Sequence, residues 1–127
     1  MSYGISKTTS LPYQQAVDKV TEELKKEGFG VLTTIDVKDT LKKKLDVDFK
    51  RYIILGACNP PFAHKALQAE EEIGLLLPCN VIVYEKGTGT VVSAFDPMTM
   101  GKVMDNPAIE PVALEVRKRL ERVIAAM

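Results

Sequence analysis

The sequence predicts an α+β fold of two layers: a mixed or antiparallel sheet of about five strands, with amphipathic helices packed on one face. Short apolar or alternating runs indicate the strands, and longer stretches with apolar residues three or four positions apart indicate the helices. The chain has 127 residues, of which 46% are hydrophobic. This length and composition are typical of one folded domain, which we take as residues 1–127.

The first part of the chain alternates strands with helical segments. Residues 3–8 suit a short opening strand, and Ser10 is a suitable N-cap for the helix that follows. We expect this helix to end at Gly28, because glycine readily adopts the left-handed conformation found there. Residues 29–35 alternate as a second strand, and Asp36 can cap a short amphipathic element after it.

The middle of the chain predicts a buried strand followed by a helix. Residues 52–58 are nearly all apolar, as expected for a strand near the centre of the sheet that is covered on both faces. Asn59 is a natural N-cap, since Pro60 suits the first helical position. The pattern extends this helix to about Glu72.

The last part of the chain predicts a hairpin and a long helix. Residues 81–84 and 91–95 are apolar strands, separated by a turn that contains two glycines. An irregular stretch from Asp96 to Pro107 follows. The final helix begins near residue 108 and carries an apolar stripe to the C-terminus.

Charge and targeting signals limit the classes of function. Lys plus Arg and Asp plus Glu both number 17, so the formal net charge is zero. A dedicated nucleic-acid binder would normally carry an excess of basic residues, and we expect no nucleic-acid partner. Near-neutral charge offers little resistance to self-association, and a homodimer would cover an exposed sheet face. With neither a secretory signal nor a membrane span in the sequence, we expect a cytoplasmic protein with reduced thiols.

Two Cys-Asn steps are the most informative feature of the sequence. The only two cysteines form Cys58-Asn59 and Cys79-Asn80, and the only histidine, His64, lies in the helix between them. These four Cys and Asn residues are the predicted ligand-binding residues. A plain parallel crossover would leave the two steps at opposite ends of the sheet, whereas an extended return after the helix would bring them together.

The same residues leave several kinds of site open. Cys58, His64 and Cys79 would form a zinc site if they met, with a carboxylate or water as fourth ligand. In a thiol-dependent enzyme or redox protein, Cys58 would be the nucleophile, His64 its base, and Asn59 or Asn80 would orient the imidazole. In a structural or partner-binding module, these residues would only shape the core.

Motifs along the whole chain resemble those of the domain-of-unknown-function 302 family. The resemblance lies in GFGV at 28–31, LGACNP at 55–60 with Ala63 and Ala66-Leu67 after it, GLLLPCNV at 74–81, and Asp96-Pro97. It implies a compact α/β fold and brings no established activity. The first functional hypothesis is therefore a small cytoplasmic, dimeric domain that binds a small ligand or metal ion near the Cys-Asn steps.

Overall fold

The fold is built on a five-stranded antiparallel sheet, as shown by a computed structural model that describes residues 2–127. The strands are β1 (Gly4–Thr9), β2 (Gly30–Asp36), β3 (Tyr52–Cys58), β4 (Cys79–Lys86) and β5 (Gly89–Phe95). Their order in the sheet is β1-β5-β4-β3-β2, and every neighbouring pair is antiparallel. The predicted α+β class is confirmed, and β3 and β4 lie near the centre as expected.

Helices connect the strands and pack against the sheet. Two short 3-10 helices are present: Glu71–Leu76 follows the α-helix Pro60–Ala69, and Pro97–Lys102 follows β5. Among the helices of residues 2–127, none is both long enough and apolar enough to cross a membrane. The α-helices are α1 (Tyr13–Lys26), α2 (Val37–Leu45), α3 (Pro60–Ala69) and α4 (Ile109–Ala125).

The main core lies between one face of the sheet and the helices α1 and α4. Alternate residues of β4, Val81 and Val83, point into it and are 0% exposed. Leu24 of α1 and Leu120 of α4 meet them from the helical layer, also at 0% exposure. Each of these side chains is removed from water in full, which stabilises the fold by about 1.5–3 kcal/mol per side chain.

The opposite face of the sheet carries a row of isoleucines. Ile35 of β2 pairs with Ile54 of β3, which in turn pairs with Ile82 of β4, so the three side chains share this face. Beside the row, the rings of Tyr52 and Tyr84 stack with their centroids 5.2 Å apart. Ile35 remains 48% exposed, so this face is only partly covered.

Two predicted helix boundaries differ from the structure. Helix α1 begins at Tyr13 with Pro12 in the cap position, so Ser10 lies outside the helix and does not cap it. Helix α3 ends at Ala69 rather than near Glu72. The physical reason is that Asn106 Nδ2 donates to the Ala69 carbonyl at 2.8 Å, which satisfies the helix end from outside.

The predicted irregular stretch after β5 is partly ordered. Its first residues form the 3-10 helix Pro97–Lys102, and the Asp96 carboxylate accepts a hydrogen bond from the Met98 amide at 2.9 Å. An aspartate in this position caps a short turn of helix in the same way that it caps a longer one. The stretch therefore continues the packed layer beside α4.

Candidate ligand pocket at one end of the sheet

The two Cys-Asn steps lie side by side at one end of the sheet. Ala57 pairs with Cys79, and Gly56 pairs with Asn80, because β3 runs into this end and β4 starts from it. The connection through α3 and the following 3-10 helix returns the chain to the end where it left. The proximity that the sequence left open is therefore present.

A cavity of about 370 Å³ lies next to this end of the sheet. Its walls come from β2, the β3–α3 junction, the 3-10 helix 71–76, the start of β4, and the first half of α4. Ligand pockets in proteins commonly have volumes of about 300–1,000 Å³. The lining is mostly apolar, and it includes Phe29, Phe62, Ala66, Ile73, Leu77, Met100, Val112 and Val116.

The pocket has a buried floor and an exposed rim. On the floor, Ala57 and Ile73 are each only 1% exposed. At the rim, Leu32 of β2 is 68% exposed and Leu67 of α3 is 41% exposed. The cavity is thus a cleft that a small molecule can enter from solvent.

The structure brings only part of the predicted site to this pocket. Cys58, Asn59 and Cys79 line it. Asn80 is exposed on β4 and does not line it, because it points to the face opposite its neighbour Cys79. His64 is exposed on α3 and lies outside the lining as well.

The predicted zinc ligands do not form a ligand group. Cys58, His64 and Cys79 are not gathered around one point, and within residues 2–127 no three His, Cys, Asp or Glu side chains are arranged to hold a metal ion. A structural zinc site needs about four such ligands at close range. Strand alternation accounts for this, since consecutive positions along β3 and β4 present opposite faces.

The two thiols have different surroundings. Cys79 is 8% exposed, whereas Cys58 at the end of β3 is half-buried. Burial, with a smaller contribution from Cys58, raises the pKa of the Cys79 thiol to about 11. The reactive form of cysteine is the thiolate, so Cys79 is unreactive at neutral pH.

Asn59 occupies the predicted N-cap position of α3, with Pro60 after it, but its side chain bonds elsewhere. Its side chain makes no cap hydrogen bond to α3; instead Nδ2 donates to the Glu27 carbonyl at 3.1 Å. Arg119 Nη1 of α4 donates to the same carbonyl at 3.0 Å. Gly28 follows with φ +87°, and a Cβ there would lie 3.1 Å from Asn59 Nδ2. Asn59 therefore links the pocket wall to the end of α1 by a hydrogen bond.

Charge is absent from the lining but present just behind one wall. No Asp, Glu, Lys, Arg or His of residues 2–127 lines the pocket. The Phe62 ring forms part of the wall, and the Arg119 guanidinium lies 5.1 Å from its centroid. Lys65 Nζ lies 5.6 Å from the same centroid. Both distances are within the range of cation–π attraction.

Sequence reasoning missed most of the pocket wall. The apolar stripes of α3 and α4 predict that Ala66 and Val116 face inward, and both do. They do not predict that the space between the helices stays unfilled. The available signal was the small size of the inward residues, which include Ala57, Ala66 and Ala113.

A known protein family matches almost the whole chain. The family model for the domain of unknown function DUF302 matches residues 5–127. The chain belongs to the DUF302 family. The resemblance seen in the sequence is thereby confirmed, and membership assigns no reaction, because the family is defined without a function.

A solved DUF302 structure has the same fold. It is the crystal structure of an uncharacterized conserved DUF302 protein from Bacillus stearothermophilus, which is 29% identical in sequence. The match covers 98% of each chain with a TM-score of 0.91. No protein with a curated description matches the chain. The comparisons therefore establish the family and the fold, and the pocket has to be interpreted from its own chemistry.

Proposed function

We propose that this DUF302 protein binds a small apolar molecule in the pocket beside the Cys-Asn steps. The observation that carries the proposal is the cavity of about 370 Å³ with no charged side chain in its described lining. Such a space is typical of sites that bury a ligand by the hydrophobic effect.

The energetics of an unfilled apolar space support a ligand. Burial of apolar surface against apolar walls is favourable by about 25 cal/mol for each Å² removed from water. A guest that contacts floor residues such as Ile73 and Ala57 would be shielded from water there.

The chemistry of the lining favours binding over a thiol reaction. Cys58 has no base beside it within the described pocket lining, since His64 lies outside. The raised pKa of Cys79 keeps its thiol protonated. Thiol catalysis requires an activated thiolate, usually one paired with a histidine. The arrangement therefore supports a role for both cysteines as soft apolar wall groups.

A chain-length series of neutral alcohols tests the proposal. We expect 1-hexanol, 1-octanol and 1-decanol to bind one site per chain, with affinity rising about fourfold for each added CH₂ group. Isothermal titration calorimetry measures the affinity and the stoichiometry. Ala63→Leu places a larger side chain at a half-buried position of the lining and is expected to weaken binding at least tenfold.

A matched substitution outside the pocket provides the control. Ala125→Leu adds the same atoms at an exposed position of α4 and should leave every affinity unchanged. Absence of saturable binding in the wild type would contradict the proposal. Equal weakening by the two substitutions would also contradict it, because the bound alcohol would then lie elsewhere.

We also propose that two chains associate through the isoleucine face of the sheet, formed by Ile35, Ile54 and Ile82. Support comes from the partial exposure of this apolar row and from a net charge of zero. Light scattering coupled to size-exclusion chromatography should give the mass of a dimer. Ile35→Lys should produce monomers, and Leu114→Lys, at a position of similar exposure on α4, should not.

The cytoplasmic location and the absence of a nucleic-acid partner stay predictions. The basis of the second is the sequence alone, through its net charge of zero. The binding proposal is independent of both.

A further inference from the structure

We infer that the ligand of this pocket is an anionic amphiphile: an apolar chain of about 8–12 carbons ending in one carboxylate or a similar anion. The inference rests on the proposed function, and it adds the polarity and orientation of the ligand. Its basis is the contrast between the uncharged lining and the two cations at the Phe62 wall.

The cavity volume sets the size of the apolar part. A water-sized group occupies about 30 Å³ in a liquid, so 370 Å³ corresponds to about 12 such groups. The buried floor around Ile73 offers no partner for a charge, and an unpaired charge in such surroundings is strongly disfavoured. The apolar chain therefore lies on the floor, and any charged group remains at the mouth.

The charge beside the pocket is positive on the Phe62 side. Arg119 and Lys65 both lie within 6 Å of the Phe62 ring centroid, at 5.1 and 5.6 Å. The Glu115 carboxylate, 3.2 Å from Arg119 Nε, offsets the charge of Arg119, so the positive charge of Lys65 is the one that attracts an anionic headgroup and repels a cationic one. A headgroup beside Phe62 would leave the attached chain in contact with the apolar wall behind it.

Lys65 is the cation that is available to a ligand. Arg119 is already engaged, since its Nε lies 3.2 Å from Glu115 Oε1 and its Nη1 donates to the Glu27 carbonyl. Lys65 is exposed, and no carboxylate of residues 2–127 forms an ion pair with it. Its flexible stem lets the ammonium group reach a headgroup without rearrangement of the fold.

A set of ligands with one chain and three headgroups tests the inference. Decanoate, 1-decanol and decylamine are titrated as monomers at low ionic strength. We expect decanoate to bind about two- to fivefold more tightly than 1-decanol, the range for an exposed ion pair. Decylamine should bind most weakly. Raising the salt concentration to about 1 M should remove the preference for decanoate, because salt screens exposed charges.

Substitution of Lys65 separates charge from packing. Lys65→Gln should bring the affinity for decanoate down to that for 1-decanol and leave 1-decanol unaffected. Lys19→Gln, at an exposed position of α1, is the matched control and should change neither affinity.

The outcomes distinguish this inference from the proposed function. Equal binding of decanoate and 1-decanol, unaffected by Lys65→Gln, would overturn the inference and leave the apolar pocket intact. A failure of all three ligands to bind would overturn both.

Discussion

The main core and the pocket end of this protein differ in how completely they are filled, although helix α4 lines both. Toward its C-terminus α4 inserts Leu120 between the sheet and α1, and this residue is 0% exposed. Toward its N-terminus it presents Ala113 and Val116 to the cavity. The same sheet and helix support both regions, and Ala113 leaves space at the pocket end where Leu120 fills the main core.

The pocket end is assembled from small residues where several segments meet. Ala57 of β3, Ala63 and Ala66 of α3, and Ala113 of α4 all face the cavity. Large aliphatic side chains at these positions would fill the space, as Leu24 and Leu120 do in the main core. A concave apolar space of this size is typical of ligand sites, and that is the reason to interpret it as a binding site.

The largest expected effect compares truncations in the two regions. Leu120→Ala should lower the free energy of unfolding by about 4–5 kcal/mol, because it opens a cavity in a filled core. Ile73→Ala should cost only about 2–3 kcal/mol, since Ile73 already borders empty space on one side. Urea unfolding measures both values. Equal costs would mean that the pocket end is packed as tightly as the main core.

Thiol labelling sharpens the comparison within the pocket itself. With a pKa of about 11, Cys79 should react with iodoacetamide at pH 7.5 about a hundredfold more slowly than an ordinary thiol. Mass spectrometry of the Cys58→Ser variant follows Cys79 alone. Labelling should speed up as the pH approaches 11. Rapid labelling at pH 7.5 in the folded protein would contradict the burial described for this thiol.

Substitution of Gly56 tests whether the pocket end is loosely packed throughout or only around the cavity. A Cβ at Gly56 would collide with Thr33 Oγ1 and lie 2.9 Å from Pro78 Cγ. Gly56→Ala should therefore cost about 1–3 kcal/mol of stability by overpacking. Gly74, which also lines the pocket, has nothing within 4 Å of such a Cβ, so Gly74→Ala is the control. Similar unfolding midpoints for the two variants would contradict this account.

The smallest expected effect concerns the ion pair between Arg122 of α4 and Glu27, the residue that follows α1. Arg122 hydrogen-bonds the Glu27 carboxylate, with Nη2 and Oε1 2.7 Å apart, and lowers the pKa of Glu27 in the folded protein. This contact stabilises the fold above about pH 4.3, the unfolded value, and is lost as the pH falls through the lower folded pKa.

A pH series checks the sign of this effect. Arg122→Gln should lower the melting temperature more at pH 7 than near pH 2, where Glu27 is protonated in both states. An equal decrease at both pH values would show that the contribution of Arg122 is packing rather than charge.

The sequence predicted the architecture well, because hydrophobic period and turn residues act locally. The continuous apolar run of β3 and the alternation of β2 identified their strands, and the apolar stripe of α4 identified its buried face. The errors occurred where distant segments decide the outcome. Asn106 Nδ2 donates to the Ala69 carbonyl at the end of α3, and Asn59 Nδ2 donates to the Glu27 carbonyl. In each hydrogen bond the two residues are far apart in sequence.

Which residues bind a ligand stays a prediction, but their positions relative to the pocket can be compared with it. The Cys-Asn steps lie at the end of the sheet beside the pocket, and Cys58, Asn59 and Cys79 border it. Asn80 and His64 lie outside it because side-chain direction depends on the strand register and on the rotation of α3. A cavity is a property of packing between elements, so no single motif encodes it.

Methyl NMR during a titration with 1-decanol tests whether the pocket binds an apolar molecule, since it reports on both regions at once. We expect saturable shifts at the methyl groups of Ile73 and Val112, which line the pocket, with little change at Val20 and Leu24 in the main core. Saturable binding that shifts the two sets equally, or no saturable shift at Ile73 and Val112, would contradict the proposed binding.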